Sequence, residues 1–361
     1  MKQQFDIAVF EGDGIGPEIM APTLDLLSLL ARQSRYDLRF QVCPAGATHY
    51  AQTGESLPQS SLERAGAADA ILLSAMGLPS VRYPDGTEIT PQIELRIKLN
   101  LFAGVRPVRV FPGQPSPLKL PAGEEVDFVL IRESTEGLFH TQGCGTVTEN
   151  EARETLLITR ETSEQLFRFA FRLAGERNRA GRGAGRVTCV DKANVFRAFA
   201  FFRDIFDTEA AKHPDLSADH AYVDATALRF VLEPWKFDVM VTENMFGDIL
   251  SDLGAGLMGG LGLAPSADIG TDHAVFQPCH GTAPDIAGEG KANPMAMFLS
   301  AAMMLEWLGQ RHEAPVLLKD GERLRETVET VVARGDCLTG DLGGSASTLE
   351  VAKAVEEALE V

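Results

Sequence analysis

The stretch FDIAVFEGDGIGPE, residues 5–18, decides the fold class of this 361-residue chain. It opens with a short apolar run of the kind that forms buried strands, and a glycine-rich turn ends that run. Pro17 follows at a position suited to the first turn of a helix. From Glu18 to Arg32 the apolar side chains recur at helical spacing. The stretch therefore predicts a strand, a tight turn and a helix in direct succession.

The same succession recurs along most of the chain. Helical patterns at 160–178 and 195–212 alternate with further apolar runs typical of strands, at 70–75, 126–131, 185–191 and 237–242. Near the end of the sequence, Ser347 and Glu350 have the spacing of a capping box ahead of a last helix at 348–360. This alternation predicts an α/β protein with at least one largely buried sheet.

The glycines of the first turn do not form a dinucleotide-binding fingerprint. Gly12, Gly14 and Gly16 give G-x-G-x-G, and proline occupies the next position. The G-x-G-x-x-G at 254–259 follows the helical pattern DILSDL rather than a strand, which favours a helix that ends in a glycine-rich turn. The sequence contains no G-x-x-x-x-G-K-[ST] phosphate loop either. Any dinucleotide is therefore expected to bind to a scaffold other than a Rossmann fold.

Composition limits the possible partners. The chain carries 33 Lys and Arg against 51 Asp and Glu, a net charge of -18. Such a charge repels phosphate backbones and anionic membranes, so we expect neither nucleic acid nor a membrane as partner. Five widely spaced cysteines without C-x-x-C predict reduced thiols. With no long apolar run and no signal-peptide core, the expected location is the cytoplasm, and the length suggests two or three domains.

An acidic pair in NMFGDILSDLGAG, residues 244–256, is the strongest chemical signal. Asp248 and Asp252 are four residues apart on a predicted helix, so their carboxylates project together. A hard divalent cation such as Mg²⁺ or Mn²⁺ prefers such oxygen ligands, whereas the alternative is a solvated acidic helix face. The apolar residues that flank the pair indicate a mostly buried helix and favour the cation.

Three arginines form a second signal. Arg96 lies in QIELRIKLNLF, Arg106 in AGVRPVR, and Arg132 directly after VDFVLI, where an α/β sheet opens its ligand crevice. Guanidinium groups bind carboxylates in bidentate fashion, so three converging arginines would suit a di- or tricarboxylate. Separate, scattered ion pairs remain the alternative.

Two further segments carry candidate residues. Lys192, directly after a strand, and Asp224, after a short β-type run, are a possible general base and a possible ligand. A surface lysine and a helix cap are the alternatives. The glycine-, alanine- and proline-rich segment 278–294 contains His280, Asp285 and Asn293, and its backbone amides could approach a phosphate or a base closely. The alternative there is a surface loop in which Asn293 caps the next helix.

These clusters, in this order, resemble the isocitrate/isopropylmalate dehydrogenase family. The resemblance runs from GDGIGPE to the C-terminal helix and rests on LRIKLNLFAGVRP, VDKANV, GDILSD and HGTAPDIAG. It implies an α/β, two-domain fold with a mixed sheet flanked by helices, not a Rossmann fold. Residues 1–106 and 259–361 would form a discontinuous cofactor-binding domain, and residues 107–258 the dimerisation and metal/substrate domain.

The resemblance also implies the reaction and the roles of the residues. The reaction would be NAD-dependent oxidation of a (2R)-malate-type hydroxy acid, with loss of CO₂. The implied roles are substrate binding by Arg96, Arg106 and Arg132, catalysis by Lys192 and Asp224, Mg²⁺ or Mn²⁺ binding by Asp224, Asp248 and Asp252, and cofactor binding by His280, Gly281, Ala283, Asp285 and Asn293. Lys192 and Asp224 would serve the second subunit of a homodimer with shared active sites. A carboxylate at Asp285 favours NAD, because it would repel the 2′-phosphate of NADP.

Two departures from the family pattern leave the substrate open. Phe139 stands where the family usually has a tyrosine that helps to protonate the enol, so His140, Lys192 or a water would take over, or decarboxylation would be slow or absent. The specificity positions hold Ile89, Gln92 and Ile93. We expect 3-isopropylmalate or a close 3-alkylmalate. Alternatives are tartrate, D-malate, isocitrate or homoisocitrate, and, from a different class, a non-catalytic regulatory subunit.

Overall fold

The structure is a computed structural model that describes residues 3–114 and 116–360. Its strands are β1 Gln4–Phe10, β2 Asp37–Val42, β3 Ala70–Leu73, β4 Ala103–Arg109, β5 Asp127–Glu133, β6 Thr146–Val147, β7 Ala152–Arg153, β8 Arg186–Asp191, β9 Ser217–Tyr222, β10 Val239–Thr242, β11 Pro265–Ile269 and β12 Ala274–Pro278. Its α-helices are α1 Gly16–Ser34, α2 Ala47–Thr53, α3 Gln59–Ala67, α4 Pro91–Lys98, α5 Arg160–Arg179, α6 Arg197–Ala210, α7 Val223–Leu232, α8 Asn244–Leu257, α9 Met295–Arg311, α10 Pro315–Arg334 and α11 Thr348–Leu359.

One large mixed sheet organises the molecule. Its ten strands follow the order β2-β1-β3-β12-β11-β4-β5-β10-β8-β9. Strands β2, β1, β3 and β12 run parallel to one another, and so do β5, β10, β8 and β9. Between these two groups, β11 and β4 pair antiparallel with each other and with their outer neighbours. The two parallel groups consequently point in opposite directions, which is the mixed sheet that the sequence resemblance implied.

The predicted helices form where the sequence placed them. Helix α1 carries proline in its first turn and ends at Arg35, whose left-handed φ of 65° stops the helix. The amphipathic segment predicted at 160–178 is α5, and Thr159 caps it by accepting from the backbone N–H of Thr162. The capping box predicted before the last helix is confirmed, because Ser347 and Glu350 exchange hydrogen bonds.

The core lies on both faces of the sheet. Strands β3 and β10 are buried at every position, as expected of parallel strands that are covered by helices on both sides. Helix α9 packs against β11 and β12 and is buried around most of its circumference. In the described part of the chain, no helix combines the length and the apolar character that crossing a membrane would require.

The glycines of the first turn serve close packing. A Cβ added at Gly12 would lie 2.1 Å from the carbonyl oxygen of Ala75, and one at Gly14 would lie 2.1 Å from that of Thr282. Both glycines also have positive φ, at 78° and 57°. The turn therefore lies directly against the segment that contains Thr282. The second glycine motif is the end of α8, as predicted, with Gly259 at a φ of 84° just beyond the helix.

Candidate active site

A cavity of about 210 Å³ brings together most of the predicted charged residues. It lies where α4, α8 and the middle strands of the sheet meet. Its lining comprises Gln92, Ile93, Arg96, Arg106, Arg132, Phe139, Asp248, Ser251, Asp252, Ser266, Gln277, Pro278 and Cys279. All three predicted arginines and two of the three predicted metal ligands therefore face one space. Ile89, by contrast, is completely buried and does not contribute to the lining.

Asp268 on β11 holds two of the arginines. Its side chain is fully buried and accepts hydrogen bonds from Arg96 Nε at 2.8 Å and from Arg106 Nη2 at 3.0 Å. Gln277 Nε2 donates to the same carboxylate at 2.9 Å. Burial alone would raise the pKa of Asp268, but Arg106 and then Arg96 outweigh burial and lower the pKa to about 2. Asp268 is therefore a permanent negative charge behind the cavity.

Arg132 is held by helix α8 rather than by Asp268. Its Nε donates to Asn244 Oδ1 at 2.8 Å, and its Nη1 pairs with Asp248, so both contacts come from α8. Burial, and next the charge of Arg96, lower the pKa of Arg132 to about 10, which still leaves it charged at neutral pH. Its guanidinium also lies 5.0 Å from the centre of the Phe139 ring. The Phe139 ring thus lines the cavity and stabilises the neighbouring cation, but it offers no hydroxyl.

Helix α8 can approach the sheet because residue 247 is glycine. A Cβ at Gly247 would lie 2.6 Å from both Cβ and Cγ of Arg132. Asp248 and Asp252 extend from the helix one turn apart into the cavity. Burial and the neighbouring Asp248 raise the pKa of Asp252. Two carboxylates that repel each other at a cavity wall are a donor set suited to a cation.

Lys192 and Asp224 lie elsewhere on the chain. Lys192 Nζ donates to Asp224 Oδ1 at 2.6 Å, and this lysine lowers the pKa of Asp224. Neither residue lines the arginine cavity. Among residues 3–114 and 116–360, no group of three or more His, Cys, Asp or Glu side chains is placed to hold a metal ion. One chain thus brings Asp248 and Asp252 together but does not add Asp224 to them.

A second cavity, of about 460 Å³, lies beside the segment 278–294. It is lined by Ile15, Gly262, His280, Ile286, Lys291, Ala292, Asn293, Gly340, Asp341, Ser345 and Ala346. Of the five predicted cofactor residues, His280 and Asn293 face this space. Gly281, Ala283 and Asp285 are exposed on the adjoining loop and do not line it. The Nε2 atom of His280 is buried and has no hydrogen-bond partner among the described residues.

The loop beside the second cavity is fastened by the first turn of the chain. The backbone N–H of Ile15 donates to Thr282 O at 2.9 Å. Glu18 on α1 accepts from the backbone N–H groups of Gly288 and Ala292, at 3.1 Å and 3.2 Å, and from Thr348 Oγ1 at 2.7 Å. The sequence GDGIGPE therefore holds this loop in place through Ile15 and Glu18.

Four polar residues that line the two cavities or hold their lining in place were missed by sequence reasoning. They are Asn244, Asp268, Gln277 and Asp341. Asp268 carried a usable signal, because an acidic residue within the apolar stretch LAPSADIG is unusual for a buried strand. Asp341 accepts from Asn293 Nδ2 at 3.0 Å, but its sequence surroundings give no comparable signal.

Comparison with known proteins identifies the family. The family model described as isocitrate/isopropylmalate dehydrogenase matches residues 6–357. The chain belongs to this family. A similar protein named 3-isopropylmalate/3-methylmalate dehydrogenase, from Methanocaldococcus jannaschii, is 40% identical over 351 residues, with 97% of each chain covered. A 3-isopropylmalate dehydrogenase from Streptococcus pneumoniae is also 40% identical, covering 97% of this chain and 98% of that protein.

Solved structures of the family agree with the fold. The crystal structure of isocitrate dehydrogenase from Methylococcus capsulatus superposes with a TM-score of 0.84 at 34% identity, covering 99% of this chain and 100% of that one. The named members of this isocitrate/isopropylmalate dehydrogenase family are dehydrogenases, so the prediction of an oxidoreductase is confirmed at family level. Dependence on NAD and a divalent metal is a general property of the family.

Proposed function

We propose that this protein catalyses the oxidation at C2, with decarboxylation, of a (2R)-malate-type hydroxy acid, and that 3-isopropylmalate is its foremost substrate. The observation that carries the proposal is the convergence of Arg96, Arg106 and Arg132 with Asp248 and Asp252 on one cavity of about 210 Å³. Relatives about 40% identical that carry the name 3-isopropylmalate dehydrogenase support the choice of substrate.

The arginines would bind the carboxylates of the malate core. Arg96 offers its Nη1 and Nη2 atoms, which have no hydrogen-bond partner among the described residues, because only its Nε is taken by Asp268. Such a free pair of donors suits bidentate binding of a carboxylate. Arg132, held in place through Asn244, would contact the second carboxylate.

The residues fit a divalent cation. Asp248 and Asp252 present oxygen ligands one helical turn apart, and the pKa of Asp252 is raised partly by the charge of Asp248. These two side chains, with Asp224 of a partner subunit, would hold Mg²⁺ or Mn²⁺. When bound, such an ion supplies Lewis-acid polarisation of the substrate oxygen. Asp248 would then exchange its contact with Arg132 for the cation, which frees Arg132 for the substrate.

Lys192 would accept the proton of the C2 hydroxyl in the active site of a second subunit. Two observations support a homodimer with shared sites. The Lys192–Asp224 pair does not line the arginine cavity of its own chain. In addition, α7, α8 and the segment before α6 expose large apolar side chains, namely Val195, Phe196, Leu228, Val231, Leu232 and Ile249. Covering such a surface by a second copy would stabilise a dimer.

The second cavity would hold the adenosine part of NAD. His280 and Asn293 line it, and Asp285 is exposed on the loop at its edge. A carboxylate at Asp285 can accept from a ribose hydroxyl and repels a 2′-phosphate, which favours NAD over NADP. We assign this cavity to a cofactor-binding domain built from residues 1–106 and 259–361, and the metal ligands to a dimerisation and metal/substrate domain of residues 107–258. The substrate cavity would lie between the two, because Arg96 and Arg106 belong to the first domain and Arg132 to the second.

A panel of (2R)-malates with NAD and Mn²⁺, followed at 340 nm as NADH formation, tests the proposal. We expect the highest kcat/KM with 3-isopropylmalate and release of one CO₂ for each NADH. NADH without CO₂ would restrict the reaction to oxidation. This outcome is worth testing because Phe139 replaces the tyrosine that is usual in the family. Failure to form NADH from any malate would contradict the proposal and favour a regulatory subunit.

One observation favours a second candidate, a 3-hydroxymalate such as tartrate. Gln92 lines the substrate cavity, and its Oε1 is buried without a hydrogen-bond partner among the described residues. A hydroxyl on C3 would satisfy this oxygen, whereas an isopropyl group would leave it unpaired. Including tartrate in the panel decides between the two, and a Gln92→Leu variant should shift the preference towards isopropylmalate.

A further inference from the structure

We infer that Asp268 is a positioning residue that fits the arginine cluster to a substrate with two carboxylates and an uncharged C3 group. Asp268 does not line the cavity, so it acts through Arg96 and Arg106 rather than on the substrate. The inference rests on the proposed function for the malate core, and it adds a charge limit on the substituent.

The hydrogen bonds of Asp268 determine which arginine donors face the substrate. On Arg96 the carboxylate takes Nε and leaves both Nη atoms free of protein partners in the described chain. On Arg106 it takes Nη2, while Nη1 donates to the carbonyl oxygens of Val105 and Ala267, at 3.2 Å and 3.1 Å. Arg96 is therefore prepared for bidentate binding, whereas Arg106 has few donors left to offer.

The charges around the cavity also limit the substrate to two carboxylates. The cationic side chains that line the cavity are Arg96, Arg106 and Arg132, and the described lining contains neither lysine nor histidine. Asp268 is completely buried between two of these arginines and neutralises one of the three charges. Asp248 and Asp252, which also line the cavity, are balanced by the divalent cation of the proposed function, so two positive charges remain for the two carboxylates of a malate core. The Lys192–Asp224 pair of a second subunit adds no net charge, so a third carboxylate would find no uncompensated cation.

The wall next to the arginines supports an uncharged substituent. Gln92 and Ile93 on α4 line the cavity on the turn before Arg96. Neither side chain can neutralise a carboxylate, and the buried Oε1 of Gln92 is itself an acceptor. A substrate such as isocitrate, with a third carboxylate on its C3 substituent, would have to place that charge here without a cation to neutralise it.

The test compares 3-isopropylmalate with isocitrate in the wild-type protein and in Asp268→Asn, with NAD and Mn²⁺. We expect the wild type to favour the dicarboxylate. In the variant, the kcat/KM for 3-isopropylmalate divided by that for isocitrate should fall about tenfold or more. Removing a unit of negative charge within several ångströms of the site changes binding by that order. Ser134→Ala is the matched control, because it removes the 3.4 Å hydrogen bond to Asp268 without changing charge. Its ratio should stay at the wild-type value.

Ligand binding to the wild-type protein provides a second test, which requires neither turnover nor a folded variant. Calorimetric dissociation constants of methylsuccinate and tricarballylate are expected to favour the dicarboxylate. Tighter binding of tricarballylate, or a kinetic ratio that Asp268→Asn leaves within twofold of wild type, would overturn the inference. Absence of NADH from every malate would instead reject the proposed function, while the two dissociation constants would still test the charge limit on the bound acid.

Discussion

The approach of α8 to the sheet gives the sharpest prediction. Gly247→Ala adds a single methyl group at the point where the helix crosses Arg132. Its Cβ would lie 2.6 Å from Cβ and Cγ of that arginine and 3.1 Å from its Cα. Because these atoms are part of the backbone or next to it, the arginine cannot turn away, and the helix itself has to move.

The magnitude follows from the overlap. Carbon atoms in favourable contact lie at least about 3.5 Å apart, so the helix must retreat by about 1 Å. Overpacking of this kind lowers the free energy of unfolding by about 1–3 kcal/mol. Asp248, Asp252 and the Asn244 contact to Arg132 all move with the helix, and a displacement of about 1 Å at a reacting site reduces kcat/KM on the order of 100-fold. A 100-fold loss corresponds to about 2.7 kcal/mol of transition-state stabilisation, which is similar in size to the upper end of the expected loss in the free energy of unfolding.

Urea unfolding, Mn²⁺ titration and steady-state kinetics would measure these effects. Gly256→Ala is the matched control on the same helix, because a Cβ there meets no atom within 4 Å. That variant should gain about 0.5–1 kcal/mol, since alanine is favoured over glycine in a helix. If Gly247→Ala behaved like Gly256→Ala, with normal Mn²⁺ affinity and turnover, the assignment of α8 as the wall of the site would be wrong.

Four other predictions concern single groups. Asp285→Lys should raise the NADP-to-NAD ratio of kcat/KM at least about tenfold, because it replaces a repulsive charge with an attractive one; an unchanged ratio would separate Asp285 from cofactor choice. Phe139→Tyr should raise kcat while the yield stays at one CO₂ for each NADH, because a tyrosine hydroxyl can protonate the enol; an unchanged kcat would exclude a role for this position. Lys192→Met should abolish turnover while Mn²⁺ still binds, and substantial residual activity would remove Lys192 from catalysis. Asp268 has a pKa of about 2 in the folded state against 3.8 in the unfolded state. The ionised carboxylate therefore contributes about 2 kcal/mol to the free energy of unfolding above pH 4, and this contribution is lost as the pH falls to 2. Unfolding at a series of pH values should show this loss in the wild type but not in Asp268→Asn.

Local patterns predicted much of the fold. Helical patterns placed α5, α6 and α8, and the capping-box spacing placed α11. The i, i+4 spacing placed Asp248 and Asp252 on one wall of a cavity. These features depend on neighbours within a few residues, which is the range that a sequence pattern reports. The family resemblance added the mixed sheet, which alternation of strands and helices could not distinguish from a parallel one.

Features that depend on distant pairing were beyond the sequence patterns. Asp268 meets Arg96 and Arg106 because β11 lies antiparallel beside β4, and these partners are 172 and 162 residues away along the chain. Ile89 was expected in the substrate cavity and is instead completely buried, because its position before α4 turns it into the core. Spacing within DGTEITPQIELR could not reveal that orientation.

The anchoring of the second cavity's loop has a consequence for biosynthesis. Glu18 fastens that loop together with Thr348, which is 330 residues further along the chain. Every residue that lines the arginine cavity, up to Cys279, is therefore synthesised before Thr348. Synthesis of the residues that line the substrate cavity therefore finishes first, and that of the nucleotide cavity last, because Ser345 and Ala346 line the latter.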